Sequence, residues 1–200
     1  MAKVLNFEFF LIFSTFDGET IYYAKKYHGS QMRQSGEPYY SHPIEVAYMF
    51  ASYTAQAVHQ LFNTNMIVTS LLHDTIEDTT LTEEMIVQIF GSLIASQVEA
   101  LTRTKPYGKI SAKETLDLLM QQEKYDVALI KIFDRIHNLQ TLGAKSPEKA
   151  LKIVKETICY FIDICFYLEI PTAEQQLINL CYKNLPITSN PSALEYTFLG

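Results

Sequence analysis

One histidine and three acidic residues lie within six positions, at His73-Asp74 and Glu77-Asp78, directly after the apolar run at 66–72. If that run continues as a helix, side chains three and four residues apart share a face. His73 then lies near Glu77, and Asp74 lies near Asp78. An unpartnered charge is costly to bury, so acids that follow a buried helix favour a bound divalent cation. On this stretch alone, the solvated end of a helix is the more common explanation, because short motifs often occur by chance.

The second informative stretch is the apolar segment 126–142, which should form a buried helix. Asp134, Asn138 and Thr141 recur along one face of this helix at intervals of four and three residues. A polar line on a buried helix needs partners, and a bound metal with its ligand would supply them. A hydrogen-bonded polar seam between helices is an alternative of about equal weight.

Three separated segments therefore offer metal-compatible groups: His42, His73-Asp74 and Asp134. Two imidazoles and two carboxylates suit Mn, Fe or Zn, and the ligand types alone do not choose among these metals. A divalent cation neutralises phosphate charge and acidifies water. Such a site therefore suits the hydrolysis of a phosphoester or a pyrophosphate.

The elements that must position these residues are helical. Helical periodicity dominates the chain and strand-like alternation is almost absent, which predicts an all-α fold in a single helical domain. A helix is predicted at 19–27, followed by a polar loop at 30–40. Pro43 suits the first position of the next helix and places His42 at or beside its cap. The irregular segment 102–111 is predicted to be a loop that could cover a pocket.

The composition limits the class of protein. The chain has 200 residues, of which 48% are hydrophobic and 19% are charged, as expected for one globular domain. Its net charge of -6 argues against a nucleic-acid partner. The apolar run at 7–13 is too short to span a membrane and is interpreted as a first helix packed on the domain. Cys159, Cys165 and Cys181 lie in apolar helical patterns, which predicts reduced core residues and a cytoplasmic protein.

The order His…His-Asp…Asp is similar to that of the HD superfamily of metal-dependent phosphohydrolases. The flanking sequences more specifically resemble the RelA/SpoT-type alarmone hydrolase domain. Its opening motif resembles residues 28–43 (HGSQMRQSGEPYYSHP), its central motif residues 73–79 (HDTIEDT) and its third motif residues 130–142 (IKIFDRIHNLQTL). The likeness extends from about residue 21 to residue 185, with the motifs in the family's order.

This resemblance implies removal of pyrophosphate from the ribose 3′ position of (p)ppGpp, with Mn2+ as cofactor. Glu77 and Asp78 would position and activate water or protonate the leaving group. Arg33 would stack on the guanine base, and Asn138 would form a hydrogen bond with the ribose. Lys131 would help with phosphate charge, although packing along its stem is an equal alternative. The implied residues are His42, His73, Asp74 and Asp134 for the metal, Glu77 and Asp78 for catalysis, and Arg33, Ser35, Lys131, Asn138 and Thr141 for the substrate.

Three residues depart from the family pattern. Gln34 stands at a usually basic position, Phe133 at a usually small one, and Gln140 at a usual arginine. These departures leave open a different phosphorylated nucleotide as substrate, such as NADPH. A catalytically weak alarmone-binding module is a third hypothesis, but the acid pair Glu77-Asp78 disfavours it.

We expect an HD-type hydrolase domain at 1–186 and a C-terminal tail at 187–200. Full-length members of the family continue into a synthetase domain, and the chain has no nucleotide-synthesis motif or phosphate-cradling glycine-rich loop. A stand-alone small alarmone hydrolase is therefore expected, unless the sequence is a fragment of a longer protein. Its partner would be a small nucleotide, ppGpp or pppGpp, with no nucleic acid and no membrane, and its oligomeric state is left open.

Overall fold

The computed structural model describes residues 18–185, which form helices and one short β-hairpin. This composition confirms the all-α prediction. The chain divides into two compact units after Asp134. The predicted N-terminal helix at 7–13 and the predicted tail at 187–200 lie outside the described residues, and the domain limits 1–186 stay a prediction.

The first unit contains these elements in chain order: α1 Gly18–His28, α2 Ser41–Ala57, a 3-10 turn His59–Leu61, α3 Thr64–Leu72, α4 Thr75–Asp78, α5 Glu83–Phe90, α6 Ser92–Leu101, β1 Thr104–Lys105, β2 Gly108–Lys109, α7 Ala112–Gln121 and the first part of α8 Tyr125–Gln140. The second unit contains the rest of α8, a 3-10 turn Leu142–Ala144, α9 Pro147–Glu156, a π-helical segment Thr157–Phe161, α10 Ile162–Tyr167 and α11 Pro171–Asn184. No helix in this described part of the chain combines the length and the apolar character that a membrane crossing requires.

Helix α3 is the centre of the first unit. The side chain of Asn63 caps its N-terminus by accepting a hydrogen bond from the backbone N–H of Met66, at 2.9 Å. Every residue at 66–72 is buried, and the helix packs against α1, α2 and α6. A helix that is buried on all sides is stable only in such a core, where each buried leucine contributes about 1.5–3 kcal/mol. Helix α3 therefore ends in a rigid environment, directly before His73.

The sequence suggested one continuous helix through the central segment, but the structure has two helices there. Helix α3 ends at Leu72, and the one-turn helix α4 begins at Thr75. Two carbonyls near the break accept side-chain hydrogen bonds: Ser70 O lies 2.7 Å from Nδ1 of His73, and Leu72 O lies 2.6 Å from Oγ1 of Thr75. Side-chain donors that compete for helix carbonyls favour such a break.

Helix α2 begins two residues earlier than Pro43, at Ser41. The backbone N–H of Ser41 donates to Pro38 O at 3.1 Å, so a turn leads directly into the helix. His42 is therefore a buried residue of the first helical turn and not the cap. Pro43 is still accommodated, because the first four backbone N–H groups of a helix have no intrahelical partner.

The irregular segment 102–111 contains an antiparallel hairpin, which the sequence did not predict. Its register pairs Thr104 with Lys109 and Lys105 with Gly108. The φ angle of Gly108 is +126°, a conformation that L side chains rarely adopt. Arg103 closes the base of the hairpin, because its Nε donates to Ile110 O at 3.0 Å.

In the second unit, a π-helical segment at Thr157–Phe161 follows α9 directly and leads into α10. Cys165 and Cys181 are buried as predicted, and burial raises their pKa values to about 12 and about 11. Cys159 is exposed, so its assignment to the core was wrong. The π-helical segment shifts the helix face by one residue, which periodicity does not reveal.

Candidate metal centre

Four of the predicted site residues lie close together in the first unit. The Nε2 atom of His42 lies 3.2 Å from Oδ1 of Asp134 and 3.4 Å from Oδ2 of Asp74. The Nε2 atom of His73 lies 3.1 Å from Oδ1 of Asp74 and 4.0 Å from Oδ1 of Asp134. The start of α2, the break after α3 and the middle of α8 therefore meet at one point.

The spacing of these atoms suits a metal ion. One ligand atom each from His42, His73 and Asp134 lies within 4.8 Å of the other two, and all three residues are buried. Ligand atoms that share a cation at about 2.0–2.2 Å are at most about 4.4 Å apart. The three residues could thus hold a metal after a small contraction, and the carboxylate of Asp74 is close enough to join them.

The tautomer of His73 also favours a metal. Its Nδ1 lies 2.7 Å from the carbonyl oxygen of Ser70, which can only accept a hydrogen bond, so the neutral ring carries its proton on Nδ1. The lone pair of Nε2 then points toward the carboxylates. This buried atom makes no hydrogen bond to any residue in the described part of the chain. The nearby carboxylate oxygen Oδ1 of Asp74 lies 3.1 Å from it. An uncommitted imidazole nitrogen among carboxylates is the arrangement of a metal ligand.

The charges in the cluster stabilise a cation. Burial by itself would lower the pKa of His73, but the carboxylates of Asp74 and Asp134 outweigh burial and raise that pKa. Burial would likewise raise the pKa of Asp74, but the two imidazoles hold it well below its usual range. The carboxylates therefore stay ionised, and they favour positive charge at the centre of the cluster.

Lys131 supplies one permanent positive charge beside the cluster. Its Nζ lies 3.0 Å from Oδ2 of Asp134, and its side chain is only 7% exposed. Burial alone would lower the pKa of Lys131, but the carboxylates of Asp134 and Asp74 raise it above its ordinary value. Lys131 thus neutralises part of the cluster's charge, and its predicted contact with phosphate stays a prediction.

Replacing Lys131 with methionine is expected to destabilise the metal-free protein. Removing one partner of a buried ion pair leaves an uncompensated charge, and the expected loss in free energy of unfolding is about 3 kcal/mol. Added divalent metal should restore part of this loss, because it replaces the missing positive charge. Chemical denaturation with and without Mn2+ measures both effects.

The matched control for this prediction is Lys113→Met. Lys113 forms an ion pair with Asp117 in which both side chains are more than 40% exposed. Such a surface pair contributes about 0–1 kcal/mol, so the control should unfold almost like the unaltered protein, with no response specific to metal. Equal losses for the two variants would contradict the role given to Lys131.

Glu77 lies in α4 and is held by the hairpin. Its Oε1 lies 2.5 Å from Nζ of Lys109, and its Oε2 accepts a hydrogen bond from the backbone N–H of Arg103 at 3.1 Å. The side chain of Glu77 is 12% exposed and that of Lys109 is 56% exposed. Lys109 and the N–H of Arg103 therefore fix the orientation of this carboxylate.

Asp78 has a different environment from Glu77. Burial, together with the nearby charges of Asp74 and Glu77, raises the pKa of Asp78, although a hydrogen bond from Tyr39 acts in the opposite direction. The backbone carbonyl of Asp78 accepts a hydrogen bond from Nε2 of Gln31 at 2.7 Å. Two neighbouring acids with different environments can take different roles in proton transfer.

The predicted substrate-binding residues are placed as follows. The guanidinium carbon of Arg33 lies 6.0 Å from the ring centroid of Tyr39, and Ser35 is exposed in the same loop. Asn138 lies in the last turn of α8 and Thr141 follows that helix, so both belong to the second unit. The predicted roles of these four residues stay predictions.

Phe133 packs away from this chemistry. Its ring lies edge-on to Phe50 at 6.4 Å between centroids and contacts Tyr53 at 5.5 Å. The side chain is buried, so this departure from the family pattern is explained by an aromatic core cluster. Gln34 and Gln140 are both exposed.

Sequence reasoning gave no role to several residues that contact the acid pair. Tyr39 and Gln31 contact Asp78, whereas Arg103 and Lys109 contact Glu77. For Tyr39, the sequence signal that could have indicated a role was its position close to His42, a predicted metal ligand. The contacts of the hairpin depend on tertiary structure and have no local sequence signal.

The fold and the cluster together define a class of protein. The family model of the HD domain matches residues 20–162, and the chain belongs to this family. Comparison with curated sequences and solved structures gives more detail.

The chain is 38% identical over 177 residues to the GTP pyrophosphokinase rsh of Brucella ovis, covering 86% of this chain and 22% of that protein. It is 33% identical over 178 residues to the probable chloroplastic GTP diphosphokinase RSH2 of Arabidopsis thaliana, covering 84% of this chain and 24% of that protein. The chain thus spans less than a quarter of the length of these relatives. Among solved structures, it is similar in fold to a metazoan ortholog of SpoT described as hydrolysing ppGpp. That match has a TM-score of 0.59 at 22% identity and covers 82% of this chain and 93% of the other.

Proposed function

We propose that this chain is a manganese-dependent (p)ppGpp 3′-pyrophosphohydrolase, which forms GDP or GTP and pyrophosphate. The observation that carries this proposal is the convergence of two imidazoles and two carboxylates next to the acid pair Glu77-Asp78. The similarity to rsh proteins and to a protein that hydrolyses ppGpp favours this substrate over other phosphate esters.

In this proposal His42, His73, Asp74 and Asp134 hold the cation. Their mixed nitrogen and oxygen donors suit Mn2+, and the uncommitted Nε2 of His73 fits a ligand. When bound, a divalent cation neutralises phosphate charge and makes nearby water more acidic. Because the four side chains already lie together, little rearrangement is needed before binding.

The acid pair performs the proton transfers. Water attacks the phosphorus attached to the ribose 3′ oxygen, and the bond between that phosphorus and the 3′ oxygen breaks. Glu77 takes a proton from the water, since its carboxylate is oriented by Lys109 and by the N–H of Arg103. Asp78, whose pKa is raised, gives a proton to the departing 3′ oxygen. Exchange with solvent then returns both acids to their starting states.

Arg33 is expected to bind the guanine base, so Arg33→Ala should act on substrate binding. The guanidinium does not approach the reacting phosphorus in this proposal, so KM should rise about tenfold with little change in kcat. Steady-state kinetics with ppGpp measure the two constants separately. Its exposed neighbour Met32 provides a control, because Met32→Ala should leave both constants within twofold. A fall in kcat alone for Arg33→Ala would place this residue at the chemical step.

The proposal includes a small nucleotide partner and a cytoplasmic location. The free thiols Cys159, Cys165 and Cys181 support this location, because disulfides are rare in that compartment.

The decisive experiment incubates purified protein with Mn2+ and ppGpp and separates the nucleotides and phosphates that form. Release of GDP together with pyrophosphate supports the proposal. Exposed Gln34, in place of a basic residue, motivates a parallel incubation with NADPH. If phosphate is released from NADPH and ppGpp is not hydrolysed, the substrate is a different phosphorylated nucleotide. Saturable ppGpp binding without turnover would instead indicate a binding module.

A further inference from the structure

The hydroxyl group of Tyr39 lies between a predicted metal ligand and a predicted catalytic acid. Its oxygen lies 2.6 Å from Oδ2 of Asp78 and 3.1 Å from Oδ2 of Asp74. The ring is held on two sides, stacked on His28 with centroids 4.6 Å apart and edge-on to His42 at 6.1 Å. The position of the hydroxyl is therefore set by packing of the ring and not by the hydroxyl's own contacts.

A single hydroxyl hydrogen can serve only one of these carboxylates at a time. The shorter distance is to Asp78, at a length typical of hydrogen bonds between a hydroxyl and a carboxylate. Asp74 has another partner, since Nε2 of His42 lies 3.4 Å from its Oδ2. The hydroxyl group of Tyr39 therefore donates its hydrogen bond to Asp78.

Asp78 needs such a partner because its own element is short. Helix α4 has only four residues, too few to fix a side chain through helix packing alone. The loop after α1 holds Asp78 at two points, through Tyr39 at the carboxylate and through Gln31 at the backbone carbonyl. Gln31 is in turn bonded to Nδ1 of His28 at 2.9 Å.

We propose that Tyr39 is a positioning residue, whose hydroxyl fixes the carboxyl group of Asp78 relative to Asp74 and so directs its proton to the leaving oxygen. This inference rests on the proposed function for its kinetic consequence. Its structural consequence is independent of the substrate, because the orientation of Asp78 depends only on contacts within this chain.

Tyr39→Phe tests this proposal, since phenylalanine keeps the ring packing and removes the hydroxyl. We expect kcat to fall about 10- to 100-fold, within the range known for positioned proton donors, while KM stays within threefold. Affinity for Mn2+, measured by calorimetry, should also stay within threefold, because no ligand is removed. The neighbouring Tyr40, whose ring lies 5.2 Å from Nζ of Lys25, provides the control: Tyr40→Phe should match the unaltered protein.

A double variant separates positioning from a general structural effect. If Tyr39 acts through Asp78, adding Tyr39→Phe to Asp78→Asn should cause less than a twofold further loss in kcat. Losses that multiply in the double variant would overturn the proposal, and so would an unchanged kcat in Tyr39→Phe.

Crystal structures of the unaltered protein and of Tyr39→Phe provide a readout without turnover. We expect the Asp78 carboxyl group to leave its position in the variant, with the imidazoles of the cluster unmoved. An Asp78 that keeps its place overturns the positioning role even if ppGpp is hydrolysed. A protein that does not hydrolyse ppGpp, but shows this displacement, refutes the proposed substrate and leaves the positioning role supported.

Discussion

His73→Ala is expected to lose metal binding and hydrolysis together. The substitution removes the buried Nε2 that faces two carboxylates and the Nδ1 contact to Ser70. We expect affinity for Mn2+ to fall at least about 100-fold, since even residues that merely orient ligands contribute about 10- to 100-fold. Loss of several kcal/mol of charge stabilisation should lower kcat/KM with ppGpp by about 1,000-fold or more. Calorimetric titration and elemental analysis of the purified variant measure the metal, and nucleotide separation measures turnover.

The control for this variant is His59→Ala, because His59 is an exposed histidine in a 3-10 turn outside the cluster. It should retain both metal and activity. Circular dichroism distinguishes loss of the site from loss of the fold, and His73→Gln provides a second variant with a better-filled volume. A His73→Gln protein that folds, binds Mn2+ normally and turns over normally would refute the metal centre.

Glu77→Gln should have the second-largest effect, with metal binding retained and turnover lost. The amide keeps the size of the side chain and can still accept the hydrogen bond from Arg103, but it cannot take a proton from water. We expect kcat to fall about 100- to 10,000-fold, the range typical of general acid–base catalysis. Affinity for Mn2+ should change less than threefold, because Glu77 is one turn beyond the proposed ligands.

Glu84→Gln is the matched control, because Glu84 is an exposed acid in the first turn of α5. Its kcat should equal that of the unaltered protein. If Glu77→Gln also keeps its rate, and the double change Glu77→Ala with Asp78→Ala does too, the acid pair has no role in catalysis.

Much of the fold was available from local sequence patterns. The 3.6-residue periodicity predicts helices, and apolar residues on all sides of 66–72 predict the buried helix α3. The cluster was accessible for a related reason, since His73, Asp74 and Asp134 are polar residues on otherwise buried segments. Such residues need partners, and a shared cation is one of the ways to supply them.

The rest of the site depends on interactions that no local pattern encodes. The break between α3 and α4 arises because side chains of His73 and Thr75 take up helix carbonyls, a competition that residue periodicity does not register. The contacts of Glu77 come from a hairpin that is 26 or more residues away in sequence. Lys131 was ambiguous for a similar reason, because a lysine on an apolar helix can either extend its stem to solvent or meet a buried acid. Only the tertiary structure places it against Asp134.

The contact between Nδ1 of His73 and the carbonyl of Ser70 couples the geometry of the metal centre to the thermal stability of α3. The imidazole contacts a backbone carbonyl in the last turn of α3, in which every residue at 66–72 is buried, so we expect the ring to stay in place while that helix stays packed. The catalytic apparatus should consequently endure warming unchanged until the core itself melts, and disappear in the same cooperative event.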